Sequence, residues 1–220
     1  MGIGHVAVGL GLKRADRKIN TGWLIFAAMA PDFLLGWFAL AGFESYEAPP
    51  DYASKHYLLF TFPWSHGLAA ELVWASIAGL VAWIFTRRRA AAVVVAIAVL
   101  SHFLLDGIVH VKGLPLAGNG SPAFGLGLWR HLSAELSLEA ALAVAGLWFY
   151  LSVVKKPRSA RIGMAIYTVV LAMFLMAGQA TATELPPRSA LIASWLGAPL
   201  LMAGVALSLD RRSGCYSKPA

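Results

Sequence analysis

The sequence predicts an all-α fold, a polytopic membrane helical bundle with about six transmembrane helices plus a short N-terminal half-helix. Three observations carry this reading. Hydrophobic residues make up 59% of the 220, and charged residues only 13%, where a typical soluble domain has about a quarter of its residues charged. The mean hydropathy is +0.68. The apolar residues gather into runs of the ~20 residues that a spanning helix needs. Such a composition excludes a disordered chain, a collagen-like chain and a disulfide scaffold. A single cysteine, Cys215, leaves no intrachain disulfide and no cysteine-based zinc site.

The first apolar stretch, Gly2–Leu12, is too short to cross a bilayer, since it rises only about 16 Å at 1.5 Å per residue. Its order, apolar first and basic afterwards, is the reverse of a secretory signal. It reads as a half-helix that forms a hairpin with the next stretch, turning at 13–18. Gly2, Gly4, Gly9 and Gly11 allow close packing there. Six spans follow, at 22–43, 66–85, 90–109, 132–154, 162–180 and 189–209. Pro31 weakens the first span next to Asp32, and Pro63 precedes His66. The glycine-rich run 118–127 matches neither a phosphate-binding loop nor a dinucleotide fingerprint and reads as an irregular loop. Residues 1–154 are read as the metal-site bundle and 155–220 as an accessory transmembrane hairpin.

The charge sorts by topology. The net charge is +7, with 18 Lys+Arg. All but four of these lie in the segments 13–18, 87–89, 155–161 and 211–218. The four on the other side are Lys55, Lys112, Arg130 and Arg188. The two sets alternate along the chain, so the positive-inside rule places the turn 13–18 and the C-terminus in the cytoplasm. The linkers 44–65, 110–131 and 184–188 then face outward. Trp23, Trp37, Trp64, Trp129 and Trp148 fall near span ends, as interfacial aromatics do. Nucleic-acid or anionic-lipid patches are the alternative reading of the basic runs, but topology accounts for all of them, and no nucleic-acid partner is expected.

Ionisable groups are costly inside a bilayer, by roughly 2.5–3.5 kcal/mol for an Asp at a helix centre. The first four spans nevertheless carry Asp32, His66, Glu71, His102, Asp106, Glu135 and Glu139, with His110 and His131 just outside them. Spans five and six have none in their interiors. His102 and Asp106 are i, i+4 and share a helix face. His131, Glu135 and Glu139 form an i, i+4, i+8 row if their helix starts early enough. Imidazole nitrogen and carboxylate oxygen suit zinc or a similar divalent ion. Glu71 and Glu139 are candidates to orient a ligand histidine. Lys112 and Arg130, on an outward linker, are candidates to hold a phosphate. By helical rise the polar groups sit toward the outer face.

The order Gly4-His5, Pro31-Asp32, Ser65-His66 and Leu100-Ser101-His102 with Asp106 resembles the bacterial inner-membrane metal-dependent hydrolases of the LexA-regulated type. These are similar to the zinc-dependent phospholipase C and P1 nuclease superfamily, which hydrolyses phosphate esters at a three-zinc cluster. The resemblance covers roughly residues 1–139. It implies that Asp32, His66, His102 and Asp106 ligate a first zinc and that His5 ligates another, with Asp106 bridging. It further implies that His110, His131 and Glu135 hold a third. The sequence departs from the family pattern at Leu34, where a second Asp is usual. It departs again at Phe62-Pro63-Trp64-Ser65-His66-Gly67, where a His-Arg-x-x-Thr-His-Ser string is usual. The soluble enzymes also ligate metal through a processed N-terminal amine, for which Gly2 would be the counterpart.

The functional expectation is a membrane-embedded metal-dependent hydrolase in the bacterial inner membrane, using one to three zinc or similar divalent ions. Its substrate would be a lipid or lipid-linked phosphate ester, the phosphate-ester class coming from the resemblance alone. Asp32 would act as ligand or as general base. Two other readings share the residues: a transporter for divalent metal or protons, and a membrane scaffold whose site has decayed.

Overall fold

The computed structural model describes residues 1–211; Arg212, Cys215 and Lys218, which entered the charge and cysteine readings, lie outside the described residues. The chain forms helices α1 (Gly2–Leu12), α2 (Thr21–Ala28), α3 (Ala30–Ala41), α4 (Tyr52–Lys55), α5 (Leu68–Thr86), α6 (Arg89–Val109), α7 (Leu132–Val153), α8 (Arg158–Thr181) and α9 (Arg188–Arg211). Among the described residues, five of these are long and apolar enough to cross a membrane, or six if α2 and α3 count as one broken span.

The first span differs from a continuous helix. It breaks at Met29 and bends by 49° between α2 and α3. Pro31 sits in the first turn of α3, where its missing N–H is tolerated but continuation of the preceding helix is not. The break frees the carbonyl of Ala28, which the candidate site uses. Gly42 closes α3 in the left-handed conformation, with φ 79°, a geometry that favours glycine.

Helix α1 is the axis of the bundle. Ile3, Val6 and Leu10 are completely buried, packed with Ile25 and Met29 of the broken span, Tyr150 of α7, Met164 of α8 and Met202 of α9. Lipid tails are as apolar as these side chains, so close packing rather than water exclusion holds such helices together. Two glycines set the distances. A Cβ at Gly9 would stand 2.7 Å from Ile25 Cα, and one at Gly146 would stand 2.8 Å from Ala7 Cα. Gly9 was expected from its place in α1, whereas Gly146 lies on the opposing helix. The outward faces of α5 and α8 keep Leu72, Val73, Ile77, Leu80, Ile166, Val169, Met173 and Phe174 exposed, as helices facing lipid do.

At the basic end of α1 the helices are tied by one acid. The Asp210 carboxylate, 2% exposed, accepts hydrogen bonds from Lys13 Nζ (2.9 Å) and from the Thr21 backbone N–H (2.8 Å). It also accepts from the Tyr150 hydroxyl (3.3 Å) and pairs with Lys156 Nζ at 2.5 Å. Nearby, Asp16 pairs with Arg88 and so joins the α1–α2 turn to the α5–α6 turn.

The linkers 44–65 and 110–131 contain two short antiparallel hairpins. β1 (Ser45–Glu47) pairs with β2 (Leu59–Thr61), with Tyr46 opposite Phe60. β3 (Val111–Pro115) pairs with β4 (Ala123–Leu126) across a register shift between Val111 and Leu114. The glycine-rich run is thus partly a strand. Phe62, Phe103, Leu114 and Leu35 pack beneath these hairpins and seat them over the end of α6.

Candidate metal centre

Asp106 is the hub of a buried polar cluster at the C-terminal end of α6. Its Oδ2 lies 3.4 Å from His102 Nε2, 3.1 Å from His110 Nε2 and 3.8 Å from His66 Nε2. Its Oδ1 faces the other way, 3.1 Å from His5 Nε2 and 3.4 Å from the Met1 backbone nitrogen. Asp32 completes the group, with its Oδ1 3.6 Å from His66 Nε2 and 3.8 Å from His102 Nε2. His5, His66, His102 and Asp106 are at most 2% exposed, whereas the Asp32 side chain is 26% exposed and so forms the open side of the cluster.

Each position follows from local structure. His102 and Asp106 stand one turn apart on α6, as the spacing predicted. His110 is the residue that ends α6, and its backbone turns extended there, so its imidazole folds back onto Asp106. Asp32 lies in the first turn of α3, just beyond the break. His66 precedes α5, which begins two residues later than the expected span and leaves His66 on the connecting turn. His5 reaches the cluster because α1 is a buried half-helix, and its ring stacks on His102 at 3.8 Å with a 7° interplanar angle.

The hydrogen bonds on the outer side of the rings fix what they present inward. His102 Nδ1 lies 2.8 Å from the Ala28 carbonyl, which only accepts, so Nδ1 carries the proton. His66 Nδ1 lies 2.7 Å from Ser65 Oγ, and Ser65 Oγ donates to Glu44 Oε2 at 2.7 Å. With its own proton given to Glu44, the Ser65 oxygen accepts from His66 Nδ1–H. When both rings are neutral their Nε2 atoms carry no proton, and these atoms face each other at 3.0 Å. Two lone pairs at that distance repel unless both nitrogens share a proton or ligate one cation. Imidazole pairs oriented by such outer hydrogen bonds beside carboxylates form the donor set that zinc takes.

Two donor triads lie within ligand range. The donor atoms of His5, Asp32 and His102 all fall within 4.8 Å of one another, as do those of His66, His102 and Asp106. The residues thus fit a divalent ion, and His102 belongs to both triads.

Other expected residues stand elsewhere. His131 is exposed and precedes α7, whose first residue is Leu132. The helix starts too late to extend the row Glu135–Glu139 back to His131. Glu135 is fully buried but belongs to neither triad. Glu139 and Glu71 bind backbone amides instead of ligand imidazoles. Glu139 Oε2 accepts from Ile3 N–H at 3.2 Å, capping α1, and Glu71 Oε2 accepts from Phe103 N–H at 3.1 Å. Lys112, on β3, and Arg130, in the short turn ahead of α7, are both exposed.

Sequence reasoning missed Glu44 and gave Ser65 no role of its own. Glu44 is 2% exposed although it lies in a linker. It also accepts from the Trp64 and Ser65 backbone N–H groups, both at 2.8 Å. Burial pushes its carboxyl above the ordinary value despite these hydrogen bonds. Burial likewise lowers His110, against the pull of Asp106. Only the pairing of β1 with β2, which brings residues 44 and 65 together, reveals Glu44. Ser65 stands in the Ser65-His66 pair of the resemblance, and its contact with His66 Nδ1 gives it a role there.

No family model, no curated protein and no solved structure matches this chain.

Proposed function

We propose that the chain is a membrane-embedded metal-dependent hydrolase. The observation that supports this most is the convergence of the His66 and His102 Nε2 atoms, 3.0 Å apart, with the Asp32 and Asp106 carboxylates beside them. The residues that would hold zinc or a similar divalent ion are His66, His102, Asp106 and Asp32, with His5 placed for a second ion and His110 against Asp106. Such an ion supplies Lewis acidity and makes hydroxide available near neutral pH.

The chain's own residues do the rest. Asp106, set among histidines on both of its oxygens, holds the imidazoles in register. The Ala28 carbonyl and the Ser65–Glu44 pair keep the His102 and His66 rings turned so that Nε2 faces the site. Asp32, the partly exposed member, is positioned to accept the proton of an attacking water. Phe62 and Trp129 flank His110 with ring centroids 5.4 and 4.0 Å away and exclude water from that side. The phosphate-ester class rests on the resemblance of the His and Asp pattern. A lipid or lipid-linked substrate accords with a site surrounded by apolar helices. In this reading the protein sits in a bacterial inner membrane, with the 13–18 turn inside and the site toward the outer face.

A transporter is less well supported. Between the cluster and the Lys13–Asp210 contacts, α1 presents completely buried Val6 and Leu10 against Ile25, an apolar stretch with no polar step.

The test is metal analysis of the purified protein together with hydrolysis of a chromogenic phosphodiester. Tightly bound metal, and activity lost in both His102→Ala and Asp106→Ala, are expected. Metal-free protein, or hydrolysis that survives both substitutions, would sink the proposal, and metal flux into proteoliposomes abolished by the same changes would favour transport.

A further inference from the structure

A polar cavity lies at the opposite end of α1 from the histidines, and the proposed hydrolase chemistry does not use it. It has a volume of about 550 Å³ and is walled by the α1–α2 turn, the end of α7 with its following link, and the end of α9. Lys13, Arg17, Lys18, Lys155, Lys156 and Arg211 line it, against one acid, Asp210. That acid is covered: Lys13, Lys156, Thr21 and Tyr150 all bond its carboxylate. The charge left facing the cavity is that of Arg17, Lys18, Lys155 and Arg211. All four are exposed, and among the described residues none of them forms an ion pair. The remaining wall is Asn20, whose side chain is bonded to the Gly22 N–H and the Leu207 carbonyl, and the apolar Val153 and Val154 at the end of α7.

Topology asks only that cations lie on this side of the membrane. It does not ask that three segments far apart in sequence should bring them around one concavity. The Asp210 hub does this by pinning α1, α2, α7 and α9 together, and the basic side chains then surround a hollow rather than spread over a convex surface. The hollow lies where α7 and α9 end, at the level where a bilayer presents its headgroups.

We propose that this cavity binds the phosphate-bearing headgroup of an anionic phospholipid. Arg17, Lys18 and Lys155 meet the phosphate, and Val153 and Val154 meet the glycerol and first acyl carbons. Basic pockets between transmembrane helices at the cytoplasmic side are suited to such headgroups. The site stands whether or not the histidine cluster hydrolyses anything.

The test is native mass spectrometry of the full chain, released from nanodiscs of phosphatidylglycerol or of phosphatidylcholine and titrated with each lipid in detergent. The wild type is expected to retain phosphatidylglycerol in preference to phosphatidylcholine. The variant Arg17→Gln/Lys18→Gln/Lys155→Gln is expected to lose about fivefold in phosphatidylglycerol affinity for each charge removed, roughly 100-fold in all. A control, Arg87→Gln/Arg89→Gln/Arg158→Gln, removes three charges from the same side but outside the cavity, and is expected to change affinity less than threefold. Thermal melting of both variants shows that they are folded. Equal retention of the two lipids, or equal losses in the two variants, would overturn the proposal. Displacement of the lipid by millimolar inorganic phosphate would assign the cavity to a soluble phosphate and would overturn it too.

Discussion

Glu44 reaches His66 through a single hydroxyl. Ser65 Oγ is 2.7 Å from Glu44 Oε2 and 2.7 Å from His66 Nδ1. A buried carboxylate just ahead of β1 thereby sets which nitrogen of a buried histidine faces the candidate metal. Outer hydrogen bonds of this kind are typically worth 10–100-fold in metal affinity. Ser65→Ala is expected to weaken metal binding by about that factor while leaving the helical circular dichroism unchanged. Competition against a chromophoric chelator measures it, and wild-type affinity in the variant would show that the Glu44–Ser65–His66 relay is idle.

The half-helix holds His5 in place only because its neighbours come close. A methyl group at Gly9 would press on the backbone of Ile25, and one at Gly146 on the backbone of Ala7. Neither contact can yield by a rotamer change. Gly9→Ala and Gly146→Ala are each expected to cost about 1–3 kcal/mol, the usual range for overpacking. Thermal unfolding in detergent reads this out. Gly178→Ala, where a Cβ would meet nothing within 4 Å, is the comparison and should melt as the wild type does.

Asp210 draws two lysines into the protein. Without it, Lys13, whose side chain is 6% exposed, keeps its charge but loses its counterion. Breaking a buried pair in this way costs about 3–5 kcal/mol. Asp210→Asn is therefore expected to lower the melting temperature more than Lys156→Met, because Lys156 sits nearer solvent, at 15% exposed. An equal or smaller effect of Asp210→Asn would mean that the hub contributes little to stability.

Asp16 supplies a pH dependence. Burial alone would raise its carboxyl, but the Arg88 guanidinium and the Lys18 backbone N–H outweigh that and hold it below its ordinary value of 3.8. A carboxyl lowered in the folded state stabilises the fold fully above the unfolded value and loses that contribution as pH falls through the folded one. Asp16→Asn should thus melt below the wild type at pH 7, by an amount near 1 kcal/mol. The gap should narrow only once the pH drops below 3.8. Melting curves from pH 7 to 2.5 test it, and a gap that stayed constant would exclude the pair as its origin.

The sequence alone determined the helical membrane class, the six apolar stretches and the short first helix, because length and hydropathy are local properties. It also determined the His102–Asp106 pair, since one helical turn fixes which side chains share a face. His131 shows where the local argument stops: a helix that begins one residue later removes a residue from its row. Glu71 and Glu139 show the same limit from another side, for nothing in their spacing says whether a carboxylate meets an imidazole or a backbone amide. Tertiary structure alone decided that the Ala28 carbonyl, freed by the break at Met29, orients His102, that Glu44 orients His66, and that Gly146 admits α1. It also decided that the basic residues surround a cavity. In each case the partners come from segments far apart in the chain, and only packing brings them within hydrogen-bond or van der Waals reach.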